Sequence, residues 1–145
     1  MDQYVQIIFQ LVLAVILGSV IGLEREYKKK GAGLQTYSLV TLGACLFTLV
    51  GFELFNFYSD KTGISFDPSR IILAVATGIG FIGAGAIIYR QVYIEGITTA
   101  AGLWCSAAIG VAVGVKLYFL AIIATVLAAF ILIGFGEIER KIFKK

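Results

Sequence analysis

The sequence predicts an all-α integral membrane protein, a compact bundle of five transmembrane helices, on three observations. The 145 residues are 59% hydrophobic and only 14% charged, far from the balance of a soluble domain. Five apolar segments follow one another with short polar connections, each close to the roughly 20 residues with which a helix crosses about 30 Å of hydrocarbon. The seven tyrosines all fall at segment ends or between segments, where amphipathic rings favour the membrane interface.

The first span runs from Val5 to Leu23. The preceding "MDQYVQ" lacks the basic region of a cleaved leader, so this segment is expected to remain. Polar "EREYKKKGAGLQT" separates it from the second span, Tyr37 to Phe57. The third, Ile71 to Tyr89, follows "DPS", in which Asp67 suits an N-cap and Pro68 the first helical position. "RQVYIEG" leads to the fourth, Ile97 to Val115, and Lys116 alone separates that from the fifth, Leu117 to Gly136. Residues 1–136 thus form one transmembrane domain, and 137–145, "EIERKIFKK", a short basic tail placed to lie against anionic lipid.

Five spans put the termini on opposite sides, and basic residues decide which. With the N-terminus outside, the inner segments hold Arg25, Lys28, Lys29, Lys30, Arg90, Arg140, Lys141, Lys144 and Lys145, against Lys61, Arg70 and Lys116 outside, a division of 9 to 3 among 12. The positive-inside rule then places the C-terminus in the cytoplasm of a cell whose plasma (inner) membrane the chain spans.

Between helices in lipid, association favours small residues every fourth position. Ala14, Gly18 and Gly22 repeat so in the first span; Ala76, Gly80 and Ala84 in the third; Thr98, Gly102, Ser106, Gly110 and Gly114 in the fourth; Ala121, Thr125 and Ala129 in the fifth. Seams on several faces exceed what one bundle needs, so a homo-oligomer is expected. Within "TGIGFIGAG", Gly78, Gly80 and Gly83 have the spacing of a dinucleotide-binding turn, but the flanks are apolar and spanning, and position 98, 20 residues on, is a threonine. With Gly85 they read as packing glycines, or as a place where backbone carbonyls meet a polar cavity.

Histidine is absent, which excludes histidine-dependent catalysis and His-containing metal sites. Neither a Ser/His pair nor a central carboxylate dyad exists, so no enzyme is expected. Cys45 and Cys105 sit in apolar runs and read as small buried hydrophobes. The basic residues sit where topology wants them, which leaves no nucleic-acid footprint. Glu24, Arg25 and Glu26 lie at a helix C-terminus, where the macrodipole disfavours anions. Compensation comes from Glu24 and Lys28 pairing at i, i+4, or from a carboxylate cluster meeting Arg25, Arg90 or a cation. Arg70 should snorkel, or pair with Asp67 or Glu53. Trp104 is mid-span and is expected to fill the core or face a cavity. Magnesium keeps several waters and is held by one or two carboxylates, which makes Glu24, Glu26 and Glu95 the metal candidates. No certain cofactor follows.

"GLERE", "AGLQTYSLVTLGACLF", "DPSRI" running into "GIGFIGAG", and "GITTAAGLWCSAAIG" occur in this order over nearly the whole chain. So ordered, they resemble the transmembrane domain of the MgtC/SapB family. The resemblance implies a five-helix inner-membrane protein of magnesium limitation, which in some members restrains the rotary ATP synthase. Carried onto this chain, its motif positions include Glu24, Arg25, Glu26, Thr36, Asp67, Arg70, Thr98, Thr99 and Trp104, and the glycines 78, 80, 83 and 85. Gln35 stands where the family commonly has arginine, and Ala74 where it has glutamine. Two functions remain open: a modulator of ion homeostasis that acts through partners and self-association, or a small Mg²⁺ or other cation transporter.

Overall fold

The computed structural model describes residues 3–58 and 67–143. Lys61, Lys144 and Lys145, which enter the charge bias, lie outside the described residues. The apolar runs form the helices that their length and composition dictate: α1 (Gln3–Tyr27), α2 (Leu34–Tyr58), α3 (Ser69–Gly85), α4 (Ile97–Gly114) and α5 (Tyr118–Phe130). A π-helical turn (Ile131–Phe135) joins α5 to α6 (Gly136–Phe143). A two-stranded antiparallel hairpin, β1 (Ile88–Tyr89) and β2 (Ile94–Glu95), lies between α3 and α4.

Helix α4 is the centre of the bundle, touching α1, α2, α3 and α5. It can do so because its inward positions are small. A Cβ on Gly110 would overlap the Thr41 carbonyl oxygen, and one on Gly114 would lie 2.6 Å from Thr48 Cβ. Gly18 and Gly22 admit α2 to α1 in the same way, the first against Thr41 and the Tyr37 carbonyl, the second against Leu34 Cα at 2.8 Å. Around these contacts Ala14, Ile21, Tyr37, Leu103, Ile109 and Val113 form the buried core. Thr41, Thr48 and Thr125 are buried too, and each returns its hydroxyl to the carbonyl four residues back at 2.8–2.9 Å, which satisfies it inside an apolar bundle.

Among the described residues four helices are long and apolar enough to cross a membrane: α1, α2, α4, and the stretch from Tyr118 to Ile138. Helix α3 has 17 residues and rises only about 25 Å. The third apolar segment is therefore not helical to Tyr89. Its helix stops at Gly85, and the next residues turn into the hairpin, Ile88 pairing with Glu95 and Tyr89 with Ile94. Gly96 closes the hairpin onto α4 with φ +92°, and a Cβ there would strike the Ala86 carbonyl oxygen. Only glycine passes so close to the end of α3. At the C-terminus, residues 137–143, the described part of the tail, are helical.

The start of α3 is as the sequence suggested in kind. Asp67 Oδ1 accepts the Ser69 amide at 2.9 Å, and the Asp67 and Pro68 carbonyls accept the amides of Arg70 and Ile71 at 3.1 Å. Hydrogen bonds from the Ser69 hydroxyl and amide hold the Asp67 carboxyl below the usual carboxylate range.

Candidate functional site

The last turn of α1 meets the first turn of α4 at one end of the bundle, where the polar residues converge. Arg25 continues the inward stripe of α1, Ala14, Leu17, Gly18, Ile21 and Gly22, so helical periodicity carries its side chain into the interior. It is 4% exposed. Its Nη2 donates to Thr99 Oγ1 at 2.9 Å, and the Tyr37 hydroxyl donates to the Thr99 carbonyl at 3.2 Å. Thr99 thus ties α1 and α2 to the start of α4. Beside Arg25 lies Glu24, its side chain 7% exposed, with Oε2 3.7 Å from Arg25 Nη1 and Oε1 2.7 Å from Lys28 Nζ. The Lys28 contact is at the distance of a charge-assisted hydrogen bond, whereas Glu24 Oε2 and Arg25 Nε are buried with no hydrogen-bond partner among the described residues. Lys28 also donates to the Leu132 carbonyl at 3.0 Å. Leu132 lies in the π turn, where carbonyls leave the regular i→i−4 ladder and can accept a side chain.

A groove of about 1150 Å³ opens at this end. Arg25 and Lys28 to Lys30 line one side, the hairpin and the start of α4 another, and the π turn a third. The lysine run is held by a tight helix stop. The Lys29 amide bonds the Glu26 carbonyl at 2.9 Å and the Lys30 amide the Arg25 carbonyl at 3.0 Å, with Lys29 in the left-handed region at φ 52°. This is a Schellman ending built on lysine where glycine is usual.

Comparison with known proteins decides what kind of chain this is. The family model described as "MgtC family" matches residues 11–141, from within α1 to within α6. The chain belongs to the MgtC family. It is 40% identical over 140 residues to YhiD of Escherichia coli K12, named as a candidate magnesium transporter, covering 97% of this chain and 65% of YhiD. It is 36% identical over 141 residues to SrpB of Synechococcus elongatus, covering 91% and 76%. It is 40% identical over 120 residues to MgtC of Salmonella typhimurium LT2, covering 83% and 48%. The chain therefore spans from about half to about two thirds of MgtC and YhiD. No solved structure gives a significant match.

In this MgtC-family chain the residues singled out by sequence do not form one cluster. Glu24, Arg25 and Thr99 come together; Glu26 lies next to them on the outside, where its Oε2 accepts the Leu34 amide at 3.1 Å. Thr98 lines the groove but is exposed, Thr36 is half-buried, and Gln35 is exposed. Asp67 and Arg70 lie at the opposite end of α3 and are exposed. Arg70 forms no ion pair among the described residues, and Glu53 instead accepts from Gln3 Nε2 at 2.9 Å. Trp104 does not fill the core: it is 56% exposed, because the inward face of α4 is taken by Leu103, Ser106 and Ala107. Tyr37 is the converse case, a tyrosine read as interfacial that is wholly buried. The metal candidates do not converge either. Glu24 faces Lys28 and Arg25, Glu26 the Leu34 amide, and Glu95 pairs with Arg90 at 3.2 Å. Among the described residues no three His, Cys, Asp or Glu side chains come together.

The packing glycines also divide. Gly18, Gly22, Gly102, Gly110 and Gly114 are pressed against neighbours, and Gly83 rests on Ala100 at 3.5 Å. Gly78, Gly80 and Gly85 meet nothing within 4 Å. These three do not admit another helix of the same chain, because α3 reaches α4 through Ile79 and Gly83, its buried residues, and helical spacing puts Gly78 and Gly85 on one flank of that contact and Gly80 on the other.

One buried polar residue went unread in the sequence. Gln10, 1% exposed, donates Nε2 to the carbonyls of Val113 and Gly114 at 2.8 and 2.9 Å, satisfying the end of α4. It sits at the inner end of a second pocket of about 490 Å³, shared with Gln3, Gln6, Glu53, Asn56 and Lys116. Its signal was an amide in the middle of an apolar run.

Proposed function

We propose that this chain is a non-enzymatic membrane protein of magnesium and ion homeostasis that works by modulating partner membrane proteins and by associating with itself. The basic end faces the cytoplasm across the inner membrane, in keeping with the excess of lysine and arginine there. The observation that carries the reading is the state of the carboxylates at that end: the one that is buried, Glu24, lies against Lys28 and Arg25. A hydrated divalent cation entering there would meet the Lys28, Lys29 and Lys30 run, with Glu95 paired to Arg90 and Glu24 already engaged by Lys28 and Arg25. Such a mouth opposes cation entry.

Self-association is assigned to α3. Gly78, Gly80 and Gly85 leave backbone open on the bundle surface, which suits close approach of another helix in lipid. Partners of this kind are a second copy and, by the family resemblance, the membrane part of the ATP synthase.

A second reading, a transporter of Mg²⁺ or another cation, is favoured by the name of YhiD and by the polar pocket that reaches inward to Gln10. Mg²⁺ flux into proteoliposomes separates the two. The modulator reading predicts no more flux with the wild-type chain than with Glu24→Ala. Flux far above that control would establish transport instead.

A further inference from the structure

We propose that Lys28 holds the π turn at 131–135 in place and so sets which way α6 faces, a latch whose release turns α6 about its own axis. Two groups fix the Lys28 ammonium: Glu24 Oε1 lies 2.7 Å away, and the Leu132 carbonyl accepts from it at 3.0 Å. That carbonyl is open to a side chain because the Gly136 amide, its partner in a regular helix, bonds the Ile133 carbonyl instead. Gly136 also makes room for the latch, since a Cβ there would stand 3.1 Å from Lys28 Nζ. A π turn inside an α-helix gives up regular ladder bonds, and a charge-assisted bond to the freed carbonyl offsets part of that loss. Without Lys28, the Leu132 carbonyl is satisfied again by returning to the Gly136 amide, which makes α5 and α6 one continuous α-helix.

The consequence falls on α6. A π turn takes up one extra residue, so each residue after it stands where the one before it would stand in an unbroken helix. Relaxation to an α-helix moves every residue of α6 on by about 100°. Glu137, which lines the groove at the basic end, then takes the bearing that Ile138 holds now, and Lys141 that of Ile142. Helix α6 is able to turn because, among the described residues, its main contact is with the π turn it follows. Ile138 and Ile142, one turn apart, are exposed, so no core contact holds them. The latch thus decides whether Glu137 stands at the groove and where the apolar edge of Ile138 and Ile142 meets lipid.

The test uses the full chain in lipid nanodiscs, with Cys45 and Cys105 replaced by alanine. One nitroxide at a time is placed on Glu137→Cys, Ile138→Cys, Lys141→Cys or Ile142→Cys. Collision with oxygen and with a water-soluble nickel chelate then gives the lipid-facing bearing of α6. Lys28→Met should turn that bearing by about 100°, one residue along the helix. Deleting Gly134 from the Lys28→Met chain removes the extra residue and should bring the bearing back, which separates a released turn from a frayed helix. An unmoved bearing in Lys28→Met, a periodicity lost altogether, or a shift that the Gly134 deletion leaves in place would overturn the latch.

Discussion

Helices α4 and α3 carry glycines at similar density and put them to different use. In α4, Gly102 lies under the Tyr37 ring, Gly110 against the Thr41 carbonyl and Gly114 against Thr48, so each is a place where a neighbour fits only because no side chain is present. In α3, Gly78, Gly80 and Gly85 face open space, although a glycine inside a helix costs about 1 kcal/mol relative to alanine. The α4 glycines are accounted for inside the fold. Gly78, Gly80 and Gly85 of α3 are not, and it is on this contrast that the proposed self-association rests.

The largest effect separating the two helices is expected at Gly110. Alanine there overlaps backbone that cannot swing aside, and Gly110→Ala should cost about 3 kcal/mol, seen as a lowered thermal midpoint in lipid nanodiscs; an unchanged midpoint would break the comparison on its α4 side. Gly102→Ala is milder, at about 2 kcal/mol, because its obstacle is the end of the Tyr37 side chain. Since the first atom met is the Tyr37 hydroxyl, adding Tyr37→Phe should recover part of the loss. The double-mutant cycle should then show a coupling of about 1 kcal/mol, and strict additivity would remove Tyr37 as the reason for that glycine. Gly80→Ala should have the opposite sign, a gain of up to about 1 kcal/mol for the single bundle, measured on the same midpoint; a loss would mean that α3 is packed after all.

The smallest effect concerns the first turn of α3. The Asp67 carboxyl is held low by Ser69, so its contribution is present above the ordinary carboxylate pKa and is lost as pH falls through the lowered value. Ser69→Ala should move the Asp67 titration upward in an NMR pH series, whereas an unmoved titration would remove Ser69 as its cause.

Much of the fold was legible in the sequence, because apolar length is what lipid selects. The helical parts of all five segments, the capped start at Asp67, and the Glu24 to Lys28 pair follow from local rules. What was not legible depends on which face of a helix meets which neighbour. The small-residue spacing around Gly80 is the same as that around Gly110, so spacing alone cannot tell an open glycine from a packed one. Tyr37 was assigned to the interface because it begins an apolar run, yet α4 passes over that end and buries it. Arg25 and Thr99 were both candidates, but their contact joins positions 74 apart. Asp67 and Arg70, equally prominent in the motif, lie at the other end of the bundle. The hairpin at Ile88 and Ile94 was hidden in apolar sequence that also suits a helix, and Gly96 was its one local sign.

The central claim is that the open glycine flanks of α3, Gly80 on one side and Gly78 with Gly85 on the other, serve contact outside the chain. Energy transfer between donor- and acceptor-tagged copies in a bilayer tests it most directly, with Gly80→Leu compared against Gly43→Leu, a glycine of α2 that also meets nothing within 4 Å. The account predicts transfer in the wild type and in Gly43→Leu, and its loss in Gly80→Leu with the helical content unchanged. Transfer absent from the wild type, or as strong in Gly80→Leu, would contradict it.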